Sequence, residues 1–167
     1  MTAHSVWRRY STFSRRAVYF AQEEARSRGE AQVRPEHLIL GLLMDEGNQA
    51  TALLRQVRVE PESLRERLLT DLPAPAAQPP PPPLDMTLSE DGIRALHLVL
   101  QEANVEGNRT TIGTAFLLLG LAKMHPTLAE MGITNQQIRE ALRLGTLPEE
   151  PRVRPRLFET LRRWWRR

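Results

Sequence analysis

The second half of this sequence repeats its first half, and that constrains the fold more than any other feature. Aligning Tyr10-Ser11 with Leu88-Ser89 sets Ala17 on Ala95, Val18 on Leu96, Phe20 on Leu98, Ala25 on Ala103 and Gly29 on Gly107 in unbroken register. After a one-residue insertion, Val33 meets Ile112, and Leu38-Ile39-Leu40-Gly41-Leu42 meets Leu117-Leu118-Leu119-Gly120-Leu121. The next loop is five residues shorter in the second copy, after which Val59, Leu64, Arg65-Glu66 and Leu68 meet Ile133, Ile138, Arg139-Glu140 and Leu142. Three blocks in the same order mark a tandem duplication. Between the copies, seven of the eleven residues 73–83 are proline. That density stops helix and sheet alike, and its polyproline II conformation advances about 3.1 Å per residue as a semi-rigid linker. The expected organisation is an N-terminal arm (1–9), a first repeat (10–72), the linker (73–84), a second repeat (85–147) and a C-terminal tail (148–167).

Each repeat reads as helices. Tyr10, Phe13, Ala17, Phe20, Ala21 and Ala25 recur at three- and four-residue steps, one stripe of a helix that Gly29 ends. Pro35 suits the first turn of a second helix with Leu38, Leu42 and Leu43 inward, and Gly41 permits close approach of a neighbour. Asn48 can cap a third helix and Pro61 can open a fourth. In the second copy, Thr134-x-x-Gln137 spells a capping box. The expectation is an all-α fold: two four-helix repeats forming a pseudo-twofold eight-helix bundle, with an amphipathic C-terminal helix.

Several chemistries are excluded or unsupported. The chain of 167 residues has no cysteine, which removes disulfides, thiolate zinc sites and a cysteine nucleophile and makes the cytoplasm the expected compartment. Its single lysine, Lys123, follows Gly-Leu-Ala and precedes Met, unlike a phosphate-binding loop. His4, His37, His97 and His125 are scattered, and a solvated or core-edge reading suits each better than a metal site. Glu23-Glu24 and Glu149-Glu150 read as solvated carboxylates. No catalytic residue, metal or cofactor is expected. No apolar run approaches the roughly 20 residues that span a bilayer.

The string Ala21-Gln22-Glu23-Glu24-Ala25-Arg26, then Gly29, then Pro35-Glu36-His37-Leu38-Ile39-Leu40-Gly41-Leu42-Leu43 resembles the N-terminal double Clp repeat of Clp-type AAA+ unfoldases, here without the ATPase modules. The resemblance covers residues 10–144. It implies a non-enzymatic module that docks substrates and adaptors of a chaperone–protease, or a decoy for them. Some relatives bind phosphorylated arginine on client proteins, one site per copy. There a hydroxyl heads the first helix and a Glu heads the second, matching a phosphate and a guanidinium respectively. The resemblance places Ser11 and Glu36 in these roles in the first copy, although Pro35 replaces a residue that is usually Thr. In the second copy Ser89 remains, but Ala115-Phe116 stand where the Glu-His pair would be.

Residues 152–167 carry seven Arg against one Glu, a net +6 that leaves −3 for the remainder of a chain whose formal charge is +3. Within this tail Leu157, Phe158, Leu161, Trp164 and Trp165 form one helical stripe, with Arg162, Arg163, Arg166 and Arg167 elsewhere. Three partners suit it: the acidic body of the chain, an anionic membrane surface at the inner face, or a groove on another protein. Nucleic acid fits less well, because the aromatics share a face with aliphatics instead of interleaving with the arginines. The competing functional class is therefore a peripheral membrane protein working through this tail.

Overall fold

The computed structural model describes residues 9–78, 87–105 and 111–150. Residues 1–8 of the N-terminal arm, residues 79–84 of the proline-rich linker and residues 151–167 of the basic amphipathic tail, with its Leu157 to Arg167 surface, lie outside the described residues. Eight helices are seen among the described residues: α1 (Thr12–Ser27), α2 (Pro35–Leu43), α3 (Gln49–Gln56), α4 (Pro61–Thr70), α5 (Glu90–Val105), α6 (Thr114–Ala122), α7 (Pro126–Glu130) and α8 (Asn135–Leu144). The all-α, four-plus-four expectation holds.

Local chemistry sets the ends of these helices. Ser11 caps α1 by accepting from the Ser14 amide. At its other end Gly29 turns left-handed at φ +72°, and the Gly29 and Glu30 amides close back onto Arg26 and Ala25 carbonyls at 2.9 and 3.0 Å. Pro35, Pro61 and Pro126 each open a helix, where a missing N–H costs nothing. Asn48 caps α3, and Thr134 with Gln137 makes the capping box of α8.

The core is a continuous apolar cluster in which α2 and α6 are the central helices. Leu38 to Leu42 and Ala115 to Leu121 are buried almost without interruption. Each central helix is crossed by the first helix of its own copy at a glycine. A Cβ on Gly41 would stand 2.0 Å from the Ala17 carbonyl oxygen, and one on Gly120 would stand 2.7 Å from the Val99 amide nitrogen. Backbones in such contact leave no room for any side chain, so the repeated glycine is a packing requirement of the duplication.

One feature departs from the sequence reading, which contains no strand. Just ahead of the helices, β1 (Gln32–Val33) pairs in parallel with β2 (Thr87–Leu88), and Tyr10 bridges Ile112 in the same sense. Both pairings run between copies. Tyr10 and Leu88 are equivalent positions, as are Val33 and Ile112, so the two pairings exchange equivalent partners about the pseudo-twofold. The copies are interleaved: the segment leading into the first helix of each lies beside the segment leading into the second helix of the other.

Candidate functional site

The interleaving gathers helix starts from both copies. At one end of the pseudo-twofold, the heads of α1, α3 and α6 converge. The Ser11 amide donates to the Ile112 carbonyl at 2.9 Å, which draws the head of α1 against that of α6. The Ala50 amide, in the first turn of α3, donates to Thr114 Oγ1 at 3.0 Å and ties α3 to the same place. Helix starts expose unpaired N–H groups and carry partial positive charge, so three together form a strong setting for an anion.

A carboxylate fills it. Glu150 lies beyond α8, in a segment without regular structure, and is 8% exposed. Its Oε2 accepts from Ser11 Oγ at 2.7 Å and from the Thr114 amide at 2.9 Å. Its Oε1 accepts from the Gln49 amide at 3.0 Å and from the Thr114 hydroxyl. Both hydroxyls are themselves held, Thr114 Oγ1 by the Ala50 amide and Ser11 Oγ by the Ser14 amide at 3.0 Å. Gly113 keeps the entrance open, since a Cβ there would stand 2.9 Å from Glu150 Oε2. Gln49 Nε2 also donates to the Pro148 carbonyl at 3.1 Å, a second tie on the same segment. Among the described residues, no Arg, Lys or His forms an ion pair with Glu150.

The pseudo-symmetric location, at the heads of α5, α2 and α7, is built differently. Ser89 Oγ accepts from the Gly92 amide at 3.0 Å, as Ser11 does in its turn. Pro35 and Pro126 start the other two helices, so neither presents an amide. The acid here is Glu36 itself, whose Oε1 stands 3.7 Å from His125 Nε2. The His125 contact holds the Glu36 carboxyl down to about 2, against the opposing effect of its partial burial.

Ser11 and Glu36, paired in one site by the resemblance, thus have separate neighbourhoods, and no hydrogen bond or ion pair joins them. Ser11 sits with the second copy's Thr114, while Glu36 sits with His125 and, at 3.9 Å, Arg34. One sequence reading is corrected. Glu150 is not a solvated carboxylate, because three helix starts supply the hydrogen bonds that water would otherwise make. Of the solvated and core-edge readings, His37 and His125 take the second, being 0% and 5% exposed. Burial pushes the His37 imidazole down, and its Nδ1 accepts from the Arg34 amide at 3.0 Å. His97 is exposed as read. A further buried acid that sequence reasoning missed is Glu102, which is 0% exposed and bound by Lys123 and Arg139. Among the described residues no cluster of His, Asp and Glu is placed to hold a metal ion.

A second surface feature is the cleft between α1 and α2, lined by Phe20, Glu23, Glu24, Arg26, Leu40 and Met44. Met44 at its edge and Tyr19 on the adjacent turn are 48% and 42% exposed. Its floor is apolar, and on its α1 rim Glu23 and Glu24 are paired with Arg26 and Arg28, each at 2.7 Å.

These features define a duplicated helical domain with a cleft and clustered helix starts at its surface. The chain belongs to the Clp repeat (R) N-terminal domain family, whose model matches residues 9–131. Domains of this family bind substrates and adaptors and are not catalytic. An uncharacterized protein of Mycobacterium tuberculosis is 35% identical over 124 residues, covering 74% of this chain and 47% of that protein. The chaperone protein ClpB of Mycobacterium leprae is 33% identical over 132 residues, covering 75% of this chain and 15% of ClpB. This chain therefore spans about half the length of the first relative and a small part of the second. Among solved structures, the Hsp104 N-terminal domain from Candida albicans superposes with a TM-score of 0.65 at 16% identity, covering 84% of this chain and 95% of that one. A ClpV N-domain in complex with a VipB peptide gives 0.66 at 12% identity, covering 86% and 91%. At these identities the likeness is one of fold.

Proposed function

We propose that this chain is a docking module that binds substrates or adaptors of a Clp-type chaperone–protease, or withholds them from it as a decoy. The observation that carries this reading is the open α1–α2 cleft on a domain of this family. Its apolar floor and the exposed Tyr19 and Met44 suit an extended or helical peptide with apolar anchors. A domain of the same fold holds a peptide in the ClpV–VipB complex, which supports the reading. The phosphoarginine role drawn from the resemblance is a finer ligand of the same module. Ser11 and Glu36 would then serve in different composite sites, each shared between the copies.

The test is capture of Clp-system clients and adaptors by the full chain and by a Tyr19→Ser/Met44→Ser variant. Both residues are exposed, so the variant keeps its helicity, and the expected result is at least about a tenfold loss of affinity. Unchanged capture removes the cleft as the docking surface. A chain lacking 152–167 separates the competing class, for which the Leu157 to Trp165 stripe is the observation. A docking module keeps its partner after that deletion, whereas a peripheral membrane protein at the cytoplasmic face loses binding to anionic vesicles. No helix among the described residues is long and apolar enough to cross a membrane.

A further inference from the structure

A carboxylate buried with no cation paired to it among the described residues is unusual, because burial removes hydration and only hydrogen bonds and helix starts are seen to replace it. Glu150 meets that requirement with four donors from three helices. Those donors owe their positions to other bonds. Thr114 Oγ1 is fixed by the Ala50 amide, Ser11 Oγ by the Ser14 amide, and α3 by its own cap, Asn48 to Thr51 at 2.9 Å. The receptor is thus built by the interleaved cores, and Glu150 is delivered to it from residues 146–150, which lie outside the helices. Among the described residues the ties on that segment are few: the Glu150 carboxylate, the Gln49 bond to Pro148 and the partly buried Leu147. It can leave without opening the core.

We propose that the heads of α1, α3 and α6 form an oxyanion-binding site whose resident ligand is the chain's own Glu150, so that an outside oxyanion enters only by displacing residues 146–150. The inference rests on the reading of Ser11 as part of an anionic-ligand site and supplies its regulation. A carboxylate and a phosphate group present the same feature to this cradle, two or more oxygens facing N–H and O–H donors with no cation required. The resident acid makes the site closed by default, and whatever pulls the C-terminal segment away opens it. That segment leads directly into the basic tail, so a partner that captures the tail also draws Glu150 towards its exit. Binding at one end of the chain is thereby linked to anion binding at another.

The experiment follows the backbone amide signals of Gln49 and Thr114 in the full chain during titration with inorganic phosphate, and separately with acetate. In the unmodified chain both amides are already hydrogen-bonded to Glu150, and the expected response is weak. In Glu150→Ala both signals move upfield before any addition, and phosphate or acetate restores them saturably. The affinity in the variant is expected to be at least about tenfold higher, since a site open no more than about 10% of the time weakens an outside ligand by that factor. Gln49→Ala keeps every donor, because the residue 49 amide is backbone, and cuts only the tie to Pro148. It should tighten phosphate binding by about threefold with Glu150 intact. Restoration by acetate alone confines the site to carboxylates and keeps the resident-ligand assignment. Equal affinity in the unmodified chain and in both variants overturns it, as does a Glu150→Ala protein with native circular dichroism that binds neither anion. Neither result touches the docking reading, which is scored by partner capture at Tyr19 and Met44.

Discussion

The heads of α1, α3 and α6 and the heads of α5, α2 and α7 occupy equivalent places about the pseudo-twofold, yet they hold opposite chemistry. The first offers the Gln49 and Thr114 amides and the Ser11 and Thr114 hydroxyls to a carboxylate that arrives from residue 150. In the second, Pro35 stands in the place of Thr114 and Pro126 in that of Gln49, which removes two amides and one hydroxyl. An acid on α2 itself, Glu36, then faces His125 across 3.7 Å. Proline costs a helix nothing at its first position, so this loss is invisible to helix stability. It is decisive for ligand chemistry. Duplication supplied two identical frames, and the residues at the first helical position decide whether a frame receives an anion or pairs an acid with a base.

The sharpest way to break the comparison is to convert one frame into the other. Thr114→Pro should make the first site resemble its mate. Gly113 already has φ −79° and ψ 173°, which is compatible with a following proline, so the helix should tolerate the change. Two hydrogen bonds to the Glu150 carboxylate and the acceptor for the Ala50 amide are lost. At about 1.5–3 kcal/mol for a bond to a charged group, the expected destabilisation is about 3 kcal/mol. The total is limited because Glu150 can swing into water. Chemical denaturation followed by circular dichroism measures it. A midpoint unchanged from the parent would mean that Glu150 contributes nothing in this cradle. The reverse change, Pro35→Thr, should alter stability by only a few tenths of a kcal/mol, since no carboxylate is delivered there to use the new donors.

A smaller effect distinguishes the two serines. Each caps a first helix, and Ser→Ala at such a position costs about 1 kcal/mol. Ser11 also donates to Glu150, whereas Ser89 has no bond to Glu36. A double-mutant cycle between Ser11→Ala and Glu150→Ala should return a coupling of about 1.5 kcal/mol, and the cycle between Ser89→Ala and Glu36→Ala close to zero. Equal couplings would erase the distinction between the sites.

The helices were legible in the sequence because their signals are local. Pro35, Pro61, Asn48 and the Thr134–Gln137 box mark starts within a few residues of the bonds they form, and the apolar stripes locate the core. Gly41 was legible because its repetition as Gly120 tied it to packing. The composite sites were not legible from such signals. Ser11 meets Thr114 across an interleaving of copies that no local pattern encodes, and Pro-Glu-Glu-Pro around Glu150 has the composition of a solvated turn. One signal was available. Tyr10, Val33, Leu88 and Ile112 are apolar residues ahead of helix starts, matched in pairs by the alignment, and apolar side chains in such connections need a partner. The choice between a solvated and a core-edge His125 was not legible for a related reason, because its burial depends on α7 approaching α2 from the other copy.

The smallest expected effect concerns the mate site and its dependence on pH. The contact with His125, aided by Arg34, holds the Glu36 carboxyl at about 2, well below its usual value of 4.5. A group whose pKa is depressed in the folded state adds stability above its unfolded value, and that stability is lost as pH falls towards the folded value. The contribution of Glu36 should therefore be complete above about pH 5 and fade between about pH 4.5 and pH 2. Its side chain is 26% exposed, so solvent screening reduces the interaction to about 1 kcal/mol. Glu36→Gln should lower stability by that amount at neutral pH and converge with the parent in acid. The difference between the two denaturation midpoints, measured across pH, isolates Glu36 from the other carboxylates that titrate in the same range. A difference that stays constant down to pH 2 would show that Glu36 contributes through packing and not through its charge. The second frame would then be an inert relic of the duplication.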